Sequence, residues 1–73
     1  MFERMLSLNT EAIANGGVAW EQWGDVKVIV FAMKNGSSRF MVNYPAREYL
    51  YQSDNMIEAS QCVEHMILEQ LKG

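Results

Sequence analysis

The run Val26-Lys27-Val28-Ile29-Val30-Phe31-Ala32-Met33 constrains this chain more than any other stretch. β-branched and aromatic residues at that density suit a pleated, packed surface. Asn35-Gly36 follows closely. Asn-Gly is the strongest short hairpin signal, because a type I′ turn needs positive φ at both central positions. Val26 to Tyr44 therefore predicts an antiparallel hairpin. A two-residue Asn35-Gly36 loop would set Phe31 opposite Phe40, Ile29 opposite Val42 and Lys27 opposite Tyr44, while Ser37-Ser38 leaves room for a longer loop.

Gly24-Asp25 offers a second tight turn, since a glycine in first place suits type II′. Val18–Trp23 then folds back as a strand, with Trp20 facing Ile29 and Val18 facing Phe31. Side chains alternate between faces along a strand. One face is expected to gather Val18, Trp20, Ile29, Phe31, Met33, Phe40, Val42 and Tyr44 as the core. The other carries Ala19, Glu21, Trp23, Val26, Val28, Val30, Ala32, Arg39, Met41 and Asn43. Tyr44-Pro45-Ala46 interrupts the ladder, as proline has no N–H to give to it. Residues 47–52 then read as a short strand or extended segment.

Two amphipathic helices flank these strands. Phe2, Met5, Leu6, Asn9, Ala12 and Ile13 recur at helical spacing between Phe2 and Asn15. Asn9 is the polar exception, and Asn9 or Thr10 could cap a shorter second helix. Asn15-Gly16-Gly17 supplies a stop. Near the other end, Ser53-Asp54-Asn55 supplies capping residues, and Glu58 in the first turn favours the helix dipole. From about Asn55 to Lys72, Met56, Ala59, Cys62, Val63, Met66, Ile67 and Leu71 form one stripe. Glu58, Gln61, His65, Glu69 and Lys72 oppose it, and Gly73 ends the sequence.

The expected fold is a single α+β domain over residues 1–73. An N-terminal helix precedes a three- or four-stranded antiparallel sheet, and a C-terminal helix packs on one sheet face. This order resembles the αβββα layout of the double-stranded-RNA-binding domain, in which both helices lie on one side of the sheet. That family carries a basic cluster at the start of its last helix, where this chain has Ser53-Asp54-Asn55-Met56. The resemblance implies a layout and no RNA site.

Composition narrows the function. A chain of 73 residues buries only about 60% of its unfolded surface, so a partner or a second copy would help it. Nine acidic against six basic residues leave a net charge of −3, which argues against a polyanionic partner, because nucleic-acid affinity rests on Lys and Arg neutralising phosphates. One cysteine excludes an intramolecular disulfide framework, and a reducing cytoplasm is the expected setting. The apolar run Val28–Met33 falls far short of the ~20 residues that span a bilayer. Met1-Phe2-Glu3-Arg4 opens with an acid and no signal-peptide apolar region.

No catalytic pattern emerges. Cys62 and His65 share a helix at i, i+3, but a structural zinc site needs four ligands and the chain has no other Cys or His. A buried cysteine and a surface histidine account for both. Glu58, Glu64 and Glu69 read as a solvated helix face, and Asn35-Gly36-Ser37-Ser38 as a turn and not an anion loop. No enzyme activity, cofactor or metal is expected.

The aromatic content carries more weight. Trp, Tyr, Met and Arg are enriched at protein interfaces. The candidate partner-binding residues are Trp23, Val28, Val30, Arg39 and Met41, on the face the helices are expected to leave open. The alternative is that Trp23 packs under a loop or the N-terminal segment, which would then cover this face. The expected function is a small acidic protein-interaction module with a protein partner or as a homodimer. Inhibitors and adaptors encoded by phages and mobile elements share its size and charge. The competing expectation is a nucleic-acid-binding domain using Lys27, Lys34, Arg39 and Arg47 around the hairpin.

Overall fold

The computed structural model describes residues 1–72, with side chains as far as Gln70. The side chains of Leu71 and Lys72, assigned above to the two faces of the last helix, lie outside the described residues, as does Gly73. The chain runs α1 (Phe2–Ala14), β1 (Val18–Trp23), β2 (Val26–Ala32), β3 (Ser38–Tyr44), a 3-10 turn (Pro45–Arg47), β4 (Tyr49–Ser53) and α2 (Met56–Lys72). This is the expected α+β layout, with four strands in the antiparallel order β1-β2-β3-β4. α1 lies over β1 and β2, and α2 chiefly over β3 and β4, so one sheet face holds both helices.

The local signals for the ends of the elements hold. Gly16 N–H donates to Ile13 O at 3.1 Å and Gly17 N–H to Ala12 O at 3.0 Å, the paired bonds of a Schellman cap. Asn55 Oδ1 accepts from the N–H groups of Ile57 (2.9 Å) and Glu58 (3.1 Å), capping α2. The Gly24-Asp25 turn pairs Trp23 with Val26 and gives the expected register, Trp20 with Ile29 and Val18 with Phe31.

The β2–β3 turn differs. Met33 N–H donates to Ser37 O (2.8 Å), and Gly36 N–H to Met33 O (3.2 Å). Gly36 has φ +89°, whereas Asn35 stays at negative φ. Three residues, Lys34-Asn35-Gly36, therefore turn the chain: a type I turn followed by a left-handed glycine. Asn35 Oδ1 accepts from Ser37 N–H at 3.0 Å and from Ser37 Oγ at 2.6 Å, which favours this longer loop. The extra residue shifts the register by one. Val30 pairs with Phe40, Val28 with Val42, Phe31 with Arg39 and Ile29 with Met41.

A one-residue slip moves a whole strand to the opposite face, and that slip corrects the expected faces. Phe40, Val42 and Tyr44 join Ala19, Trp23, Val26, Val28 and Val30 in the buried core beneath the helices. The opposite face pairs Trp20, Ile29 and Phe31 with Arg39, Met41 and Asn43. Charge explains which face is buried. Lys27 and Arg39 share the Trp20 face, and burying them beneath helices would strand two cations in an apolar medium.

The helices show one match and one rotation. In α2, Ala59, Val63 and Met66 are buried and Met56, Cys62 and Ile67 partly so, as the stripe requires. Ser60 joins them, its hydroxyl satisfied by donation to Met56 O at 2.7 Å. In α1 the buried residues are Met5, Leu8 and Ala12, while Phe2, Leu6 and Ile13 are exposed. The inward face is thus turned by roughly 70° from the expected stripe, at about 100° per residue. Asn9 marks its margin, accepting from Ser38 Oγ at 2.6 Å. α1 is unbroken at Leu8-Asn9-Thr10, where Thr10 Oγ1 donates back to Leu6 O at 3.0 Å.

Candidate functional site

The face that the helices leave open is ordered by the strand register into three rows. Val18, Phe31 and Arg39 form the first, and Trp20, Ile29, Met41 and Gln52 the middle one. Gln22, Lys27, Asn43 and Leu50 form the third. Trp20 and Leu50 are each 58% exposed and Val18 47%. Ile29, Phe31 and Met41 are half-buried among their neighbours. Contiguous apolar patches of more than a few hundred Å² are uncommon on the surfaces of monomeric proteins.

The electrostatics of this face are one-sided. Lys27 and Arg39 lie on it, and no acidic residue is paired on it within the strand ladder; Asp54 follows Ser53, the partner of Phe40, one step beyond β4 near Arg39. Lys27 Nζ sits 4.5 Å from the Trp20 ring centroid, a cation–π contact that holds the ammonium over the indole. Arg39 is exposed beside Phe31. Glu21, the acid of β1, points to the other side and meets Arg4 at 3.9 Å. The molecule is acidic, but its open sheet face is cationic and apolar.

The candidate partner-binding residues divide accordingly. Arg39 and Met41 lie on the open face. Trp23, Val28 and Val30 do not: Val28 and Val30 are fully buried and Trp23 is 6% exposed. They belong to the core because the register that exposes Met41 turns them under the helices. Arg4 covers the Trp23 ring at 4.4 Å from its centroid. Trp20, Phe31, Ile29, Lys27 and Leu50 take their place on the surface. The signal that identifies them is the pair of cations, since Lys27 and Arg39 cannot share a buried face.

A second concavity, about 710 Å³, runs between β4 and α2. Tyr49, Tyr51, Cys62 and His65 line it, with Glu58 and Arg47 at its margin. The Tyr49 hydroxyl and Cys62 Sγ lie 3.7 Å apart. That hydrogen bond, followed by partial desolvation, raises the Tyr49 phenol above its ordinary 10.0. Cys62 is half-buried and His65 is exposed, its Nε2 3.5 Å from Glu69 Oε1. Among the described residues no group of three or more His, Cys, Asp or Glu side chains is placed to hold a metal ion.

The four cations of the nucleic-acid expectation are dispersed. Lys27 and Arg39 are on the open face, Lys34 is in the hairpin loop, and Arg47 borders the β4–α2 groove. Among the described residues no helix is long and apolar enough to cross a membrane. No protein-family model matches the chain, and no curated protein or solved structure is significantly similar to it.

Proposed function

We propose that this chain is a small protein-binding module that docks through the open face of its sheet, acting as an inhibitor or adaptor and not as an enzyme. The observation that carries this reading is the uncovered middle row, Trp20-Ile29-Met41, on a sheet whose other face already holds both helices. Aromatic residues, Met and Arg are the types enriched where proteins meet. A phage or mobile-element origin fits the size and the net charge of −3. A cytoplasmic setting fits a single cysteine, Cys62. Single-stranded nucleic acid is the second reading, because Trp20 and Phe31 beside Lys27 and Arg39 could stack bases. The acidity of the whole molecule weighs against it.

Site-specific photo-crosslinking tests the proposal. Benzoylphenylalanine at Met41, in cells that make the protein, is expected to give a discrete protein adduct. The same group at Glu64, on α2, is expected to give none, and Trp20→Glu should abolish the Met41 adduct. No adduct from Met41, or equal adducts from both positions, would refute it.

A further inference from the structure

Resting on that reading, we infer that the open face takes an acidic amphipathic segment of another protein, about one helix in size. Two features of the face lead there. The first is charge. Lys27 and Arg39 flank the apolar middle row from opposite sides, and no carboxylate is paired within the ladder on this face, Asp54 lying just past the end of β4. A partner that covers it must bring the anions, because an interfacial cation without a counter-charge costs more than its contacts return.

The second is area. Four strands spaced ~4.8 Å apart, with about six residues each at ~3.4 Å, make a surface of roughly 400 Å². A helix ~10 Å wide crosses the ~20 Å length of this footprint in about 13 residues and leaves its margins, where Lys27 and Arg39 stand, within reach of the helix flanks. Side chains of such a segment would meet Trp20, Ile29 and Met41 along its apolar stripe, with carboxylates on its flanks reaching Lys27 and Arg39.

A second copy of the chain fits less well. Face-to-face pairing would press Lys27 and Arg39 of both copies into one interface with no acid among the paired strand residues. Head-to-tail pairing could use the outer helix surface, where Phe2 and Ile57 stand exposed near Glu64. A contact of that kind is heterologous and yields a ring where its rotation closes or an open filament where it does not, and never a simple two-fold dimer.

The test uses the full chain and three probes. One is a 14-residue helix-forming peptide with a Leu/Phe stripe flanked by Glu. Another is the same peptide with Lys in place of every Glu, and the last is a twelve-residue oligo-dT. The Glu peptide is expected to bind at least tenfold tighter than the Lys peptide. Its amide shift changes in nitrogen–proton spectra should fall on β1–β4 residues of the open face. Lys27→Glu with Arg39→Glu should reverse the preference while the melting curve stays near that of the parent. Equal or tighter binding of the Lys peptide, or shift changes on the helices, would overturn the inference. Tighter binding of oligo-dT would assign the face to nucleic acid instead. A wild-type dimer in ultracentrifugation that the double substitution dissociates would assign it to a second copy. If the Met41 crosslink persists but the charge preference is missing, the inference fails alone. Loss of both removes the protein-binding reading as well.

Discussion

Val30 lies directly opposite Phe40 across β2 and β3, and both are buried beneath the helices. The pair joins the valine spine of β2 to the aromatic end of β3 in one continuous core. Phe31, the next residue, points to the other side and pairs with Arg39. Two phenylalanines in neighbouring strands thus have opposite roles. Phe40→Ala should cost about 3–5 kcal/mol, the range for a buried Phe, enough to unfold a domain of this size. Phe31→Ala should cost less, about 1 kcal/mol, since its side chain is only half-buried on the open face beside Val18 and Arg39. Urea melts of the two variants compare them directly. Equal destabilisation would mean that the face assignment is inverted.

The register depends on Gly36. Its φ of +89° is the left-handed conformation that closes the three-residue loop, and a Cβ there would meet no atom within 4 Å. The cost of a side chain is therefore conformational. Gly36→Val should destabilise by about 2 kcal/mol, whereas Asn35→Gly should cost less than half as much, because Asn35 is not left-handed. Thermal melting of both variants decides between this loop and a two-residue turn, which would make Asn35→Gly neutral or stabilising and would place both residues at positive φ.

Much of the layout was readable because its signals are local. Gly16-Gly17, Gly24-Asp25 and Asn55 each act within a few residues, and each fixes the end of an element as the sequence implies. The β1–β2 register followed from one such turn. The β2–β3 register did not, because Asn35-Gly36 is compatible with two loop lengths, and the choice rests on the Asn35 side chain reaching Ser37. One residue of loop then moved Trp23, Val28 and Val30 from the surface to the core. The rotation of α1 is not legible for a related reason: Leu8 and Ile13 are similarly apolar, and the contact that accompanies the inward turn of Leu8, Ser38 Oγ to Asn9 Oδ1, is between residues far apart in sequence.

The α2 cap gives a sharper energetic handle. Asn55 Oδ1 serves two N–H groups at the helix start. Asn55→Ala should cost about 1 kcal/mol and Asn55→Asp should restore most of it, since aspartate caps as well and favours the dipole. Denaturant midpoints for the two variants test this; a neutral Asn55→Ala would show that the first turn is held by packing alone.

Tyr49 gives a pH dependence with a definite sign. Its hydrogen bond to Cys62 favours the neutral phenol in the folded chain, raising the folded value above the unfolded 10.0. A raised value means that the contribution is fully present below the unfolded value and is lost as pH climbs through the folded one. Cys62→Ala should therefore shift one tyrosine in an ultraviolet titration back towards 10.0. An unchanged titration would show that the thiol does not hold the phenol.

The two tryptophans report the electrostatics of the open face. Trp20 is 58% exposed and Trp23 only 6%, so a neutral quencher such as acrylamide should reach one indole and spare the other. Charged quenchers add direction. Lys27 lies 4.5 Å from the Trp20 ring centroid, Arg39 is on the same face, and no carboxylate is paired there within the ladder. A one-signed surface concentrates counter-ions near it at low ionic strength. Iodide should therefore quench Trp20 several-fold more efficiently than caesium, despite the negative charge of the whole molecule. The difference should shrink as salt rises to about 0.15 M, where the screening length falls to about 8 Å. Trp20→Phe should remove the iodide-sensitive component and leave a blue-shifted emission from Trp23. Caesium quenching equal to that of iodide would mean that Lys27 and Arg39 do not set the local potential, and the case for an acidic partner would lose its footing.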